Sequence, residues 1–230
     1  MSDIFQRKDL SCSNCLLETK VKNKSIKRIE KADFYYKQGN GEVLIILDCI
    51  EQKEDISKFK NFLKLKGIND YVLIPGIKCR TQSYELPNPI YKIYTECNTI
   101  KNKITDDTRV IITVAKGILA VTQSDDISSW QEFVELNFNQ TYFYHRYKDR
   151  MIRVYPLPFL TEIFDFSSFE NLYTLNQINQ VNEYLKDYQI EKFIEVKKVI
   201  VDNPNDFLKQ HLEAKECALD TETNSLNTYI

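Results

Sequence analysis

The sequence predicts an α/β protein built on a parallel sheet. Three apolar runs rich in β-branched residues, at 42–50, 71–77 and 109–114, are typical of strands that are buried on both faces. Segments with helical spacing of apolar residues lie between them, at 55–66 and 88–104. Strands that alternate with helices at these lengths predict parallel strands joined by right-handed crossovers.

Composition and charge narrow the class of protein. The chain has 230 residues, of which 43% are hydrophobic and 28% charged, and no apolar run approaches the roughly 20 residues of a membrane-spanning helix. With 31 basic and 33 acidic residues the net charge is -2, so DNA binding would need a local basic patch. The polar N-terminus lacks the apolar core of a secretory signal. We therefore expect a cytoplasmic protein, with its six cysteines as thiols or metal ligands.

The two predicted helices of this first part have recognisable ends. The helix at 55–66 is stopped by Gly67, and the helix at 88–104 carries Pro89 near its first turn. The second helix has an inner stripe of evenly spaced side chains, which are Ile90, Ile93, Cys97, Ile100 and Ile104.

The remainder of the chain predicts a sheet edge and a second unit. Two short runs, 141–145 and 151–155, flank a charged turn and predict a hairpin, and the polar segment 176–188 predicts a helix. A strand-like run, a short helix and another strand follow within 189–230. We therefore divide the chain into a domain at 1–188 and a linker with the truncated start of another α/β unit at 189–230.

Four cysteines form a candidate metal site. Cys12 and Cys15 are spaced as C-x-x-C, and Cys79 and Cys97 follow far downstream. Four thiolates can hold zinc in a tetrahedral site or an iron-sulfur cluster. The alternative is that Cys97 is only a small apolar residue on the inner face of its helix.

Ordered sequence blocks between about residues 9 and 165 resemble one enzyme family. They are Cys12-Ser-Asn-Cys15-Leu, VLIILDCIEQKED, YVLIPGIKCR, the helix with Cys97, and RVIITVAKGILAV. Together they resemble the iron-sulfur, family 4 type, uracil-DNA glycosylases. The resemblance implies a three-layer fold with a parallel four-stranded sheet. It also implies a [4Fe-4S] cluster on Cys12, Cys15, Cys79 and Cys97 that clasps the N-terminus to the sheet, with Zn²⁺ as the alternative.

The blocks that carry the family's chemistry are altered in this chain. Where the family reads G-E-A-P-G before x-x-E-D, this chain has a shorter carboxylate, Asp48, keeps Glu54 and Asp55, and loses the glycines and proline. Pro75 replaces an amide that recognises the base edge, and Leu157 stands where the leaving-group histidine would be. Losing one catalytic donor typically costs about 10²- to 10³-fold in rate. The resemblance therefore implies an inactive glycosylase fold, and the alternative is an active uracil-DNA glycosylase that uses Asp48 with other partners.

The predicted hairpin carries a candidate DNA-binding patch. His145, Arg146 and Lys148 lie in an aromatic and basic stretch, 142–148, which could contact single-stranded nucleic acid by stacking and phosphate contact. The alternative is an exposed hairpin tip.

The end of the sequence carries a second resemblance. Residues 215–226 are similar to the first motif of the DnaQ-like 3′–5′ exonucleases, in which clustered carboxylates hold two divalent ions. Asp220 and Glu222 alternate along a strand and could share Mg²⁺ or Mn²⁺ on one side, although solvated carboxylates at a strand end are the alternative. The later acidic residues of such an exonuclease are absent, so this site is incomplete.

A glycosylase-like region followed by an exonuclease-like motif resembles the N-terminal region of bacteriophage family A DNA polymerases. The resemblance implies an accessory module in DNA replication, with DNA, other replication proteins or the remainder of a polymerase chain as partners and no membrane. A third possibility is a protein-interaction platform in the replisome, whose degenerate pocket serves as a groove for another protein.

Overall fold

The structure is a computed structural model, and it describes residues 28–31, 36–48, 53–77, 79–81, 93–94, 97, 100, 103–122, 131, 133 and 141–192. By its contacts the chain divides into Met1–Phe193 and Ile194–Ile230, and every described residue belongs to the first unit. The predicted sites at Cys12 and Cys15 and at Asp220 and Glu222 lie outside the described residues.

Nine strands occur in the part of the chain that the structure describes. They are β1 (Arg28–Lys31), β2 (Tyr36–Gln38), β3 (Val43–Leu47), β4 (Tyr71–Pro75), β5 (Cys79–Thr81), β6 (Val110–Val114), β7 (Phe143–Tyr147), β8 (Arg150–Leu157) and β9 (Glu191–Lys192).

Four α-helices with described boundaries accompany these strands. They are α1 (Lys53–Leu65), α2 (Leu119–Thr122), α3 (Leu160–Ile163) and α4 (Phe169–Lys186). A 3₁₀ turn, Ala115–Ile118, joins β6 to α2. Within the predicted helix at 88–104, the described residues Ile93, Tyr94 and Cys97 are helical. None of the helices seen in these ranges combines the length and the apolar character that crossing a bilayer would require.

Four parallel strands form the centre of the main sheet. Their order is β4-β3-β6-β8, and each neighbouring pair is parallel. β2 pairs antiparallel with β4, and β7 and β9 pair antiparallel with β8. The predictions of an α/β fold, of parallel strands and of a hairpin in the second half are thus confirmed. β1 and β5 form a separate antiparallel pair.

The main sheet is covered on both faces by apolar side chains, as parallel sheets generally are. Successive residues of β3 point to opposite faces, so they feed two clusters. Cluster A joins β3 to α1 and α4 through Val43, Ile45, Leu47, Phe59, Leu63, Ile178 and Val181. Cluster B lies on the other face and includes Leu44, Ile46, Ile93, Tyr94, Ile118 and Phe133.

Helix α4 begins seven residues before the predicted start at 176, and Ser168 explains why. Ser168 is the N-cap residue, and its side-chain oxygen accepts a hydrogen bond from the Asn171 backbone N–H at 3.1 Å. The buried face of the helix includes polar side chains, among them Thr174 and Gln177. These residues interrupt the apolar stripe by which a helix is recognised in a sequence.

A single carboxylate fastens the loop before β3 to the start of β4. The side chain of Asp70 accepts hydrogen bonds from the backbone N–H groups of Asn40, Gly41 and Glu42. Gly39 makes the approach possible, because its φ is +73° and a Cβ there would lie 2.7 Å from the Asp70 carboxyl carbon. Burial raises the pKa of Asp70, but these three hydrogen bonds and the nearby Lys37 charge outweigh it, so the pKa lies below its ordinary value.

We expect Asp70→Ala to lower the free energy of unfolding by about 2 kcal/mol at pH 7, because three backbone donors lose their charged acceptor. The folded-state pKa is lowered, so the contribution of Asp70 is present above the ordinary aspartate pKa of about 3.9 and is lost as the pH falls through the folded-state value. Urea unfolding at pH 7 and pH 3 measures both effects. Asp107→Ala, at an exposed position, is the control. An equal loss in the two variants would contradict the prediction.

Candidate functional site

The carboxyl ends of the four central strands converge at one edge of the sheet. Asp48 follows β3, Gly76 follows β4, Ala115 follows β6 and Pro158 follows β8. Ligand and catalytic sites of open parallel sheets lie at this edge, because loops from neighbouring strands meet there. Asp48 is the residue that the sequence selected, and it is the starting point for the site.

The carboxylate of Asp48 is held by two segments of the chain. Its exposed fraction is 1%, and its oxygens accept hydrogen bonds from the Tyr94 hydroxyl at 3.2 Å and from the Lys116 backbone N–H at 3.4 Å. A buried carboxylate without such donors would cost several kcal/mol, so these bonds are a condition for its burial. They also fix the carboxylate between the helical segment with Tyr94 and the turn after β6.

The backbone around Asp48 is closely packed. A Cβ at Gly117 would lie 2.4 Å from the Ile46 carbonyl oxygen, so only glycine lets the turn after β6 lie this close to β3. The Gly76 N–H donates to the Leu47 carbonyl at 2.6 Å, and a Cβ at Gly76 would lie 2.7 Å from the Tyr94 ring. The turns after β4 and β6 therefore contact the end of β3 directly.

The other two positions that the resemblance selects, Pro75 and Leu157, are the last residues of their strands. Pro75 is the last residue of β4, is buried, and lies opposite Leu47 in the parallel register. Leu157 ends β8 with an exposed fraction of 0% and packs in cluster A. Asp48 instead bonds to Tyr94, which belongs to cluster B on the opposite face. The side chain at position 157 therefore belongs to the core of the other face.

Two of the four predicted cluster ligands are among the described residues. Cys79 begins β5, and its Cα lies opposite that of Lys31 on β1. Cys97 is partly buried and packs against cluster B. Within the described ranges no three side chains of His, Cys, Asp or Glu are grouped for metal binding. Because Cys12 and Cys15 fall outside those ranges, the four-cysteine site stays a prediction.

The three residues of the predicted DNA-binding patch occupy different environments on the hairpin. Arg146 and Lys148 are exposed, and the Lys148 ammonium forms an ion pair with Asp106 at 2.6 Å. His145 is half-buried and hydrogen-bonds to the Val121 carbonyl. Burial lowers the pKa of His145, which leaves its ring neutral at pH 7. The positive charge of this patch thus comes from Arg146 and Lys148.

An aromatic sandwich, which sequence reasoning missed, supports this hairpin. The Arg153 guanidinium lies 4.4 Å from the ring centre of Tyr142 and 4.1 Å from that of Tyr184, and it forms an ion pair with Glu191. The four residues join the hairpin, α4 and β9. Cation–π contacts of this kind stabilise by about 0.5–2 kcal/mol. In the sequence, the only sign of these cation–π contacts is that Arg153 stands between apolar residues of β8.

A scan against models of protein families and a search of curated proteins gave no match to this chain. The fold and the site define a mixed α/β protein with a buried carboxylate at the carboxyl edge of its parallel strands.

We expect Tyr94→Phe to lower the free energy of unfolding by about 1–2 kcal/mol, because the buried Asp48 carboxylate loses a donor. In a double-mutant cycle with Asp48→Ala, the two losses should fall short of additivity by about 0.5–3 kcal/mol. Urea unfolding of the four proteins measures this coupling energy. Tyr144→Phe on β7 is the control, and its effect should add to that of Asp48→Ala. Additive losses for Tyr94 would contradict the contact.

Proposed function

We propose that this chain is a DNA-binding module with the architecture of the iron-sulfur uracil-DNA glycosylases and without their catalytic activity, and that it serves a phage-type DNA polymerase. The proposal depends mainly on which residues occupy the catalytic positions and on how these residues are held. The Asp48 carboxylate is tied into the fold, and Leu157, which the resemblance aligns with the leaving-group histidine, lies in cluster A.

The chemistry of base excision explains why these positions matter. Cleaving the bond between the base and deoxyribose needs donors for the departing pyrimidine anion and a group that positions water, around a base flipped out of the helix. Pro75 has no N–H and Leu157 has no polar atom. Asp48 is bound to Tyr94 and Lys116, and close backbone contacts surround it. These features support a retained scaffold without excision activity.

The hairpin supports the DNA-binding part of the proposal. Tyr144, Arg146 and Lys148 alternate along β7 and the turn that follows, and all three are exposed. An aromatic ring next to two cations can stack on a base and contact phosphates in a single strand. Since the net charge is -2, affinity would come from this local patch rather than from the overall field.

The proposed cofactor is a [4Fe-4S] cluster on Cys12, Cys15, Cys79 and Cys97, with Zn²⁺ as the alternative. The pairing of β1 with β5 supports it, because it places Lys31, which lies 16 positions after Cys15 in the sequence, opposite Cys79. When bound, the cluster would supply a structural crosslink between thiolates that are distant in sequence. In the same proposal, Asp220 and Glu222 begin an exonuclease site for Mg²⁺ or Mn²⁺ that needs further carboxylates.

We expect the protein to bind single-stranded oligonucleotides with an affinity that falls as salt is raised, because phosphate contacts release counterions. Arg146→Glu should weaken binding by roughly tenfold, since it replaces a phosphate contact by repulsion. Fluorescence anisotropy with a labelled oligonucleotide measures both effects. Lys64→Glu makes the same charge change at an exposed position of α1, and it should bind like the unaltered chain. Equal weakening by the two variants would exclude the hairpin as the interface.

The same oligonucleotides with uracil test the enzyme alternative. We expect no alkali-sensitive strand breaks after incubation with either single- or double-stranded substrate. Strand breaks that Asp48→Ala abolishes would instead identify an active glycosylase, and the inactive reading would be wrong.

We expect purified protein to be brown, with an absorbance shoulder at about 400 nm and about four irons per chain, if the cluster is bound. Cys79→Ser and Cys97→Ser should lower the iron content and bleach the shoulder. Cys49→Ser removes a cysteine outside the proposed set and serves as the control. Colourless protein with one zinc per chain would favour Zn²⁺. Protein that contains neither iron nor zinc would contradict the site.

A further inference from the structure

The junction of α3 and α4 carries an exposed apolar patch with an acidic border. Phe166 in the connecting turn is 84% exposed, and Phe169 and Leu172 on the first turns of α4 are 60% and 65% exposed. Phe169 and Leu172 are three residues apart, so they share one side of the helix. We call these three residues, together with Glu162, Asp165 and Glu170, the acidic-apolar surface. Apolar side chains that are exposed together in a patch mark interaction sites, whereas singly exposed ones are ordinary.

The electrostatic character of this surface is one-sided. Residues 154–185 contain four acidic residues and not a single lysine or arginine, although the whole chain has 31 basic residues. No ion pair among the described residues includes Glu162, Asp165 or Glu170. Hydrogen bonds from Ser167 lower the pKa of Asp165, which keeps it ionised. Burial raises the pKa of Glu162 against the hydrogen bond from the Phe159 N–H, and the negative charge of Glu170 raises it further.

The turn that presents the patch is held by several hydrogen bonds. The Phe159 N–H donates to the Glu162 carboxylate at 3.2 Å, and the Ser168 hydroxyl donates to the Asp165 carbonyl at 2.8 Å. The Asn171 side chain donates to the Ile163 carbonyl at 2.6 Å from a buried position. These bonds fix α3 against α4, so the exposed rings stand on a preorganised base. A preorganised surface loses less entropy when a partner binds.

We propose that the acidic-apolar surface docks a basic amphipathic helical segment of a partner protein. Apolar side chains of the segment would cover Phe166, Phe169 and Leu172, and its lysines or arginines would face Glu162, Asp165 and Glu170. Charge complementarity selects this occupant. A second copy that paired through the same surface would bring like charges together, and DNA phosphates would be repelled by the same carboxylates. The proposal does not rest on the DNA-binding function, since it involves none of the hairpin residues.

Another exposed apolar side chain provides a matched control. Leu65 at the end of α1 is 84% exposed, but its sequence neighbours are Lys64 and Lys66. A cationic peptide has no electrostatic reason to bind there. Leu65→Ser therefore removes the same kind of exposed apolar group outside the proposed surface.

The experiment uses the full chain and three labelled synthetic peptides of the same length. The first has Leu and Phe at i, i+3, i+4 and i+7 with lysines elsewhere, the second has glutamates in place of the lysines, and the third is the first in scrambled order. We expect fluorescence anisotropy to show binding of the first peptide only, weakened by added salt. The double variant Phe169→Ser/Leu172→Ser should weaken binding by about tenfold or more, because the covered apolar area is lost. Leu65→Ser should leave the affinity unchanged.

Further variants and outcomes separate the occupants. Glu170→Gln should weaken binding of the lysine peptide and reduce its salt dependence, while circular dichroism confirms that both variants are folded. Equal binding of the three peptides, or binding of none, would overturn the proposal. Sedimentation that shows a dimer, together with loss of that dimer in the double variant, would identify a second copy as the occupant and would also overturn the proposal. A loss of oligonucleotide affinity in the double variant would make nucleic acid the occupant and would equally overturn it.

Discussion

The whole structure depends on the complete burial of β3. All five residues of Val43–Leu47 have an exposed fraction of 0%, and the strand is hydrogen-bonded to β4 on one edge and to β6 on the other. A strand in this position has no side that tolerates water, so both faces must be covered. Helices α1 and α4 cover one face through cluster A, and the segments with Tyr94, Ile118 and Phe133 cover the other through cluster B.

The environment of Asp48 follows from that constraint. The first residue after a fully buried strand is still inside the protein, so a carboxylate there needs donors from whichever segments cover the strand end. Tyr94 comes from cluster B, and the Lys116 N–H comes from the turn that the register of β3 and β6 brings over Ile46. Gly117 allows that turn to approach the Ile46 carbonyl. The position of the Asp48 carboxylate therefore depends both on the burial of β3 and on the close approach that Gly117 allows.

The sequence predicted those parts of the fold in which apolar residues occupy the buried positions. The β-branched runs at 43–47, 71–75 and 110–114 could be recognised because both faces of each strand are apolar. The pairing of β1 with β5 could not, since RIEK and CRT carry no apolar alternation. The start of α4 was hidden by polar side chains on its buried face, and the Thr174 hydroxyl and the Gln177 carbonyl oxygen have no hydrogen-bond partner among the described residues.

The candidate site divides in the same way between local and non-local information. Asp48 could be selected because a carboxylate directly after an apolar run is conspicuous in the sequence. The two donors described above could not, because the Lys116 N–H lies 68 positions downstream and the Tyr94 hydroxyl 46 positions downstream. The Arg153 sandwich likewise joins residues that only the fold brings together.

Charge is segregated along the chain of this nearly neutral protein. Residues 142–153 contain four basic residues and one acidic residue, whereas 154–185 contain four acidic residues and no basic one. The overall charge of -2 conceals this division. Arg153 lies at the boundary, where Tyr142 of the hairpin segment and Tyr184 of α4 hold it on its two sides. The cationic hairpin and the acidic-apolar surface share no residue, so a substitution in one leaves the chemical groups of the other unchanged. Local patches, rather than the net charge, therefore set the electrostatic potential near each surface.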